Sequence, residues 1–93
     1  MQVIATKITQ NPAIVKFELD EIIVRTENFE FKNIDETQNS PLAKQLFFLP
    51  FVKTVYVSGN FIAIEKFSIV EWEDVQEDVA NQINEFISNG GEI

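Results

Sequence analysis

The sequence predicts an α+β domain of two layers, in which a mostly antiparallel four-stranded sheet carries two helices on one face. Three observations predict it: an alternating apolar–polar run at residues 13–19, two such runs joined by Gly59-Asn60, and two segments with apolar residues at helical spacing. The predicted order is β-β-α-β-β-α. Because the chain has 93 residues, we expect residues 1–88 to form one domain and residues 89–93 to begin a linker or fray.

The first part of the chain contains one clear strand and one weaker one. Residues 13–19 place every second side chain on an apolar face. The apolar residues 22–24 follow a turn, which favours a short hairpin partner for that strand. Residues 26–39 are mostly polar, and the sequence leaves open whether Phe29 and Phe31 anchor a long loop there or belong to a minor strand.

The first helix is predicted to begin at Ser40-Pro41, because serine caps free backbone N–H groups and proline fits the first helical position. Pro50 ends this helix. Phe48 lies well off the apolar stripe, so the helical periodicity does not bury it. The stripe itself consists of Leu42, Leu46 and Leu49.

Residues 52–58 and 61–67 predict a β-hairpin, since Gly59-Asn60 tolerates the positive φ of a two-residue turn. The turn fixes the register and so divides the side chains between two faces of the sheet. The face predicted to join the core carries the cross-strand pairs Val57–Ile62 and Val55–Ile64. The opposite face is unusually apolar for a surface in water, and it carries Tyr56, Phe61 and Ala63 beside Thr54 and Glu65.

Exposed aromatic side chains are the first candidates for a partner-binding surface, because contiguous apolar patches on a domain mark interaction sites. One alternative stays open: the segment around Phe29 and Phe31 covers the apolar face of the sheet instead. The aromatic candidates are Phe48, Phe51, Tyr56 and Phe61.

The second helix is predicted to follow Ser68, because Ser68 and Glu71 match a capping box with Phe67 and Trp72 at the staple positions. A start two residues later also fits the sequence. The helix ends at Asn89-Gly90-Gly91, where glycine permits a left-handed stop. Its apolar stripe consists of Trp72, Val75, Val79, Ala80, Ile83, Phe86 and Ile87.

Acidic residues dominate the charge of the chain, because fifteen acidic and seven basic residues give a net charge of −8. This field repels phosphate backbones and anionic lipid headgroups, so we expect neither nucleic-acid nor membrane partners. A regular helix points its carboxylates outward instead of around a metal ion. The acidic side of the second helix is therefore either a solvated surface or a docking face for a protein, with candidates Glu73, Asp74, Glu77 and Asp78.

The chain has no cysteine and no histidine, which excludes disulfides, thiolate metal ligands and the most common acid–base catalyst. Its serines fall at predicted caps and turns, so we expect no enzyme, and a hydrolase or transferase using carboxylates alone is the remaining enzymatic alternative. The first twenty residues lack a leader pattern, and no segment is predicted to span a membrane. On this basis we expect a cytoplasmic protein.

Five short segments share their order and spacing with one known family: Thr9–Phe17, Ser40–Ala43 with Leu46-Phe47, Pro50–Lys53 with Val55, Asn60–Ile62 and Trp72-Glu73. Through them the chain resembles the N-terminal domain of the Nfu (NifU-like) iron–sulfur cluster scaffold and carrier proteins. Two positions depart from the family pattern. Phe51 stands where many members have glycine, and Phe48 stands where a polar residue is common.

The resemblance implies a non-catalytic docking domain whose partners are apoprotein clients or cluster-assembly proteins. It also implies that the iron–sulfur cluster is held by a C-x-x-C pair on a separate C-terminal domain, so this chain carries no cofactor of its own. The alternative is a free-standing adaptor or a homodimerising domain unrelated to cluster delivery. That alternative predicts self-association through the exposed aromatic residues.

Overall fold

The computed structural model describes residues 2–24, 28–38 and 40–90, which form an α+β fold with one antiparallel five-stranded sheet. The strands are β1 (Val3–Ile8), β2 (Ile14–Leu19), β3 (Asn28–Phe31), β4 (Val52–Ser58) and β5 (Phe61–Lys66). The helices are α1 (Pro41–Phe47) and α2 (Trp72–Ser88), and a 3-10 turn covers Ile34–Thr37. The strand order across the sheet is β1-β2-β5-β4-β3, with β5 at the centre.

The sheet has five strands where four were predicted, and the prediction was wrong in the first part of the chain. Residues 22–24 form no strand, because the backbone N–H groups of Ile23 and Val24 both donate to the carbonyl of Gly59, at 2.8 and 3.1 Å. The hairpin partner of β2 is instead β1. A register shift between Val3 and Ala5 breaks the alternation of β1, which explains why the sequence pattern did not predict it.

The open question about residues 26–39 is settled for its described part. Residues 28–31 form β3 on the outer edge of β4, and residues 34–37 form the 3-10 turn, whereas residues 26, 27 and 39 lie outside the described residues. Phe29 pairs with Val57 and Phe31 with Val55, so both rings lie on the core side of the sheet, stacked with centroids 6.4 Å apart.

The hairpin of β4 and β5 has the predicted register, with Val57 opposite Ile62 and Val55 opposite Ile64. Gly59 has a φ of +54°, as the tight turn requires, while no residue other than glycine has a positive φ within the described ranges. Asn60 therefore contributes in another way: its side-chain amide donates to the carbonyl of Leu19 at 3.1 Å. This bond ties the hairpin turn to the end of β2.

The first helix begins as predicted, since the Ser40 hydroxyl oxygen accepts a hydrogen bond from the Ala43 N–H at 3.3 Å and Pro41 follows it. The predicted start of α2 with Ser68 as its cap was wrong, and the alternative start two residues later is closer to the structure, in which α2 begins at Trp72. Its N-cap is Glu71, with no side-chain capping bond, and Ser68 lies in the preceding turn. The start is fixed by Trp72, whose indole N–H donates to the Ala13 carbonyl at 2.9 Å.

One hydrophobic core lies between the sheet and the two helices, so both helices cover the same face, as predicted. Trp72 belongs to this core, with its ring 5.8 Å from Phe17 and 6.4 Å from Phe51 in edge-on geometry. The predicted stop of α2 is also confirmed in its described part, because Gly90 has a φ of +83°. Gly91 lies outside the described residues. The core-facing positions of α2 are Trp72, Val75, Val79, Ala80, Ile83, Phe86 and Ile87.

Candidate functional site

The described residues contain no group of three His, Cys, Asp or Glu side chains that could hold a metal ion. The whole sequence also lacks cysteine and histidine, so the chain's residues do not fit an iron–sulfur cluster. The serines that the sequence placed at caps and turns include Ser40, which caps α1, and Ser68, which lies in a turn. The remaining candidate sites are therefore surfaces that could bind a partner.

The open face of the sheet, on the side opposite the helices, carries an aromatic strip made of Ile14, Tyr56, Phe61 and Ala63. The rings of Tyr56 and Phe61 lie 6.1 Å apart, and Ala63 is the direct cross-strand neighbour of Tyr56. Lys16 Nζ sits 4.5 Å from the centre of the Phe61 ring, in cation–π geometry. Together these residues line a shallow depression of about 680 Å³.

The residues that line the depression over the aromatic strip belong to β2, β3, β4 and β5, apart from Thr9 and Lys32, which directly follow β1 and β3. The alternative left open was that the segment with Phe29 and Phe31 covers the strip, but both side chains lie on the core side with Val57 and Val55. Glu30, between them, is the residue of β3 that lines the depression. The alternative in which this segment shields the apolar face is therefore wrong for β3.

The charged residues around the aromatic strip neutralise one another. Lys7 pairs with Glu18 at 3.4 Å, Lys32 with Glu30 at 3.9 Å, and Lys53 with Glu65 at 3.9 Å. Thr54 also donates its hydroxyl to Glu65 Oε1 at 3.2 Å. Exposed ion pairs of this kind add little to stability. Their consequence here is that the open face, including Lys16, is close to neutral.

The outer side of α2 has the opposite character, because the segment from Glu71 to Ser88 contains no basic residue. None of its carboxylates forms an ion pair with any residue in the described part of the chain. The four predicted acidic candidates, Glu73, Asp74, Glu77 and Asp78, are all exposed. The charge of −8 is therefore spread unevenly, with the helix side strongly negative and the sheet side nearly neutral.

The four aromatic candidates differ in position and exposure. Phe51 is only 8% exposed and packs edge-on against Trp72, so it is a core residue and does not lie on the open face of the sheet. Phe48 is 63% exposed, at the end of α1 on the helix side of the molecule. Tyr56 and Phe61 alone share a surface.

Sequence reasoning missed two contributors to that surface, Ile14 and Lys16. Both occupy the polar-side positions of the alternating run that became β2. Their position beside Phe61 and Ala63 follows from the pairing of β2 with β5. The alternation of residues 13–19 predicted which face of the strand carries Ile14 and Lys16. No signal in the sequence predicted that this strand pairs with β5.

A sequence profile described as "Scaffold protein Nfu/NifU N terminal" matches residues 4–90, which is nearly the whole chain. The chain belongs to this Nfu/NifU N-terminal family. The resemblance carried by the five sequence segments is thereby confirmed, and the family is one of iron–sulfur cluster scaffold proteins.

Curated relatives of this Nfu N-terminal chain come from animals and plants. The human "NFU1 iron-sulfur cluster scaffold homolog, mitochondrial" is 31% identical over 88 residues, covering 94% of this chain and 35% of the human protein. Its counterpart in Drosophila willistoni is 32% identical, covering 94% of this chain and 30% of the relative. "NifU-like protein 5, mitochondrial" of Arabidopsis thaliana is 28% identical, with coverage of 94% and 32%. The chain spans about a third of the length of these relatives.

Two solved structures share the fold of this Nfu N-terminal chain. A NifU-like protein from Saccharomyces cerevisiae superposes with a TM-score of 0.82 at 23% identity, covering 99% of this chain and 84% of the yeast chain. A Staphylococcus aureus protein gives a TM-score of 0.75 at 22% identity, with coverage of 89% and 99%.

The expectation of a cytoplasmic protein was wrong, because the human, Drosophila and Arabidopsis relatives of this Nfu N-terminal chain are named as mitochondrial proteins. The expectation rested on the absence of a leader pattern in the first twenty residues. Among the described residues, no helix has the length and apolar character needed to cross a membrane.

Proposed function

We propose that this chain is a non-catalytic docking domain of an iron–sulfur cluster scaffold protein, with residues 1–88 as the docking unit. Its partners are apoprotein clients or cluster-assembly proteins, and the cluster is cargo held by a different domain. Two findings support the second part: the chain has no cysteine or histidine, and its curated relatives are about three times as long. The relatives are named as iron–sulfur cluster scaffolds.

The observation that carries the docking role is the aromatic strip on the open face of the sheet. A two-layer α+β domain needs only one apolar face of its sheet, and here that face already packs on both helices. A second, contiguous apolar surface has no use in the domain's own core and is typical of an interaction site. The surrounding lysines and glutamates are already paired, so a partner that covers them desolvates few unbalanced charges.

A binding experiment with Phe61→Asp tests this role. Purified cluster-assembly proteins and apo forms of iron–sulfur proteins are titrated against the wild-type chain by isothermal calorimetry. A charge at the centre of the aromatic strip should weaken binding by about tenfold or more, as at an interface hot spot. The matched control is Phe48→Asp, which makes the same exchange at an exposed phenylalanine on the helix side and should leave affinity unchanged.

Further measurements show whether the variants are folded and which outcome overturns the assignment. Far-UV circular dichroism and the fluorescence of Trp72 confirm that both variants are folded. Equal affinities for wild type and Phe61→Asp, or equal losses in both variants, would overturn the assignment of the strip. Analytical ultracentrifugation tests the homodimer alternative: a wild-type dimer that Phe61→Asp dissociates would mean that the strip serves self-association instead of client docking.

A further inference from the structure

On the side of the molecule opposite the aromatic strip, a groove runs along α2 and is bounded by Gln45 of α1 and by Leu49 and Phe51 of the turn after α1. Two adjoining depressions of about 340 and 360 Å³ form it, and they share Gln82 and Glu85. One extends to Leu49 and Val75, and the other to Asn89. Because a helix rises about 1.5 Å per residue, the stretch from position 75 to position 89 makes this helix groove about 21 Å long.

The floor of the helix groove is apolar at the end near Leu49 and mixed in polarity at the end near Asn89. Leu49 and Val75 are half-buried and face the open space, with Phe51 and Val79 buried beneath them. Phe86, also half-buried, continues the apolar lining at the other end. Such a floor favours a ligand that presents apolar side chains in a row, as an amphipathic helix does when it lies in a groove between helices.

The rim of the helix groove fixes the charge of the ligand. Asp78 and Glu85 lie seven residues apart, two turns along the same side of α2, and both line the groove. Neither forms an ion pair with a described residue, and α2 has no basic residue to offset them. The other lining residues of the rim are uncharged amides: Gln45, Asn81, Gln82 and Asn89.

We propose that the helix groove binds a basic amphipathic helix of a partner protein. Apolar side chains of that helix pack on Leu49, Val75 and Phe86, while lysine or arginine side chains on its flank reach Asp78 and Glu85. An acidic or neutral helix is disfavoured, because the carboxylates of α2 repel the first and gain nothing from the second. The proposal rests on the docking role above, but it uses a separate face of the molecule.

A synthetic peptide provides the test. The probe is an amidated 14-residue peptide of leucine and lysine with leucines at helical spacing, titrated into the isotope-labelled chain at 150 mM salt. Binding should shift the NMR amide signals of Leu49, Val75, Asp78 and Gln82. The peptide with every lysine replaced by glutamine should bind much more weakly. If the glutamine peptide binds as tightly, or if the shifts cluster around Tyr56 and Phe61, the proposal is overturned.

Two matched double variants separate the groove from the general charge of the helix. Asp78→Asn with Glu85→Gln removes two carboxylates from the rim, and should weaken binding about fivefold from the loss of two exposed ion pairs. Glu73→Gln with Glu77→Gln removes the same charge from the same helix outside the groove lining. At 150 mM salt, where screening acts within about 8 Å, this control should weaken binding less than twofold.

The outcomes distinguish this inference from the docking role of the sheet. Equal weakening by the two double variants, or no binding of the lysine peptide, would overturn the helix groove as a docking site. Phe61→Asp should bind the lysine peptide as the wild type does, because Phe61 lies on the other side of the sheet. The sheet assignment can therefore fail in the client titration while the groove result stands, and the reverse also holds.

Discussion

Trp72 connects three separate parts of the chain. Its ring packs edge-on against Phe17 of β2 and Phe51 of the turn before β4, and its indole N–H donates to the Ala13 carbonyl. The same carbonyl accepts the backbone N–H of Lys66 at 3.0 Å. One residue at the first position of α2 thus fixes where the helix begins and how it meets the sheet.

Substitutions at Trp72 should lower the free energy of unfolding, and the loss should be larger when more of the side chain is removed. Trp72→Phe keeps a ring but loses the indole N–H, so the free energy of unfolding should fall by about 1–2 kcal/mol. Trp72→Ala also leaves a cavity and should cost about 3–5 kcal/mol. Urea unfolding followed by circular dichroism measures both. Phe48→Ala is the reference at an exposed position, with an expected change below about 0.5 kcal/mol, and a similar value for Trp72→Ala would contradict the central role of the indole.

Phe51 and Phe61 show what the sequence could and could not predict about individual residues. The turn at Gly59 fixed the register, so the position of Phe61 on the open face followed from alternation alone. Phe51 belongs to no periodic element, since it stands between Pro50 and the start of β4. Its burial depends on contact with Trp72, more than twenty positions away, and no local pattern encodes that contact.

At the level of whole elements, the two serines predicted as helix caps have different roles. Ser40 accepts the Ala43 N–H, whereas Ser68 lies in a turn that precedes the true N-cap at Glu71. The sequence predicted Ser40 as a cap because Pro41 follows it, and Ser68 as a cap because Glu71 completes a capping box. The difference arises because Trp72 must enter the core at the first position of α2, which leaves residues 68–70 outside the helix.

Alanine substitutions of these two serines give opposite expectations. Ser40→Ala should lower the free energy of unfolding by about 1 kcal/mol, because a capping oxygen at a helix start is lost. Ser68→Ala should change it by less than about 0.5 kcal/mol, since no side-chain bond depends on it. Thermal and urea unfolding of the two variants in parallel check the pair. A larger loss in Ser68→Ala than in Ser40→Ala would show that the capping box forms after all.

Some of the strands could be predicted from the local sequence, and others depend on contacts with distant parts of the chain. The hairpin of β4 and β5 was predictable because a two-residue turn and two alternating runs specify it within a short stretch. The edge strands β1 and β3 were not, since an edge strand is exposed on one side and its alternation is weak or interrupted. Residues 22–24 had strand composition, but the backbone N–H groups of Ile23 and Val24 donate to the carbonyl of Gly59 and not to a neighbouring strand.

Across the whole molecule, charge is sorted between the two faces. The sheet side pairs its lysines and glutamates, while α2 places Glu73 four residues before Glu77 and Asp74 four before Asp78 with no basic residue nearby. Like charges at this spacing destabilise a helix by a few tenths of a kcal/mol for each pair. The helix groove could not be predicted from the sequence, because it depends on the relative placement of α1 and α2.

Salt should therefore stabilise the fold. Raising sodium chloride from about 20 to about 300 mM should raise the melting temperature by about 2–5 °C, because screening relieves repulsion along α2 more than it weakens the exposed pairs on the sheet. Differential scanning calorimetry measures the shift. Glu73→Gln with Glu77→Gln should reduce the slope, and a melting temperature that falls with salt would show that the sheet ion pairs dominate instead.

The strand order has a consequence for when the proposed docking surface comes into being. β4 and β5 are joined by a two-residue turn and can pair within microseconds, but β2 reaches β5 only after a long segment of chain has closed. Tyr56, Phe61 and Ala63 of the aromatic strip belong to the hairpin of β4 and β5, whereas Ile14 belongs to β2, so the complete strip exists only after β2 has paired with β5. A partner that recognises this surface would therefore distinguish a finished domain from a nascent or unfolded one.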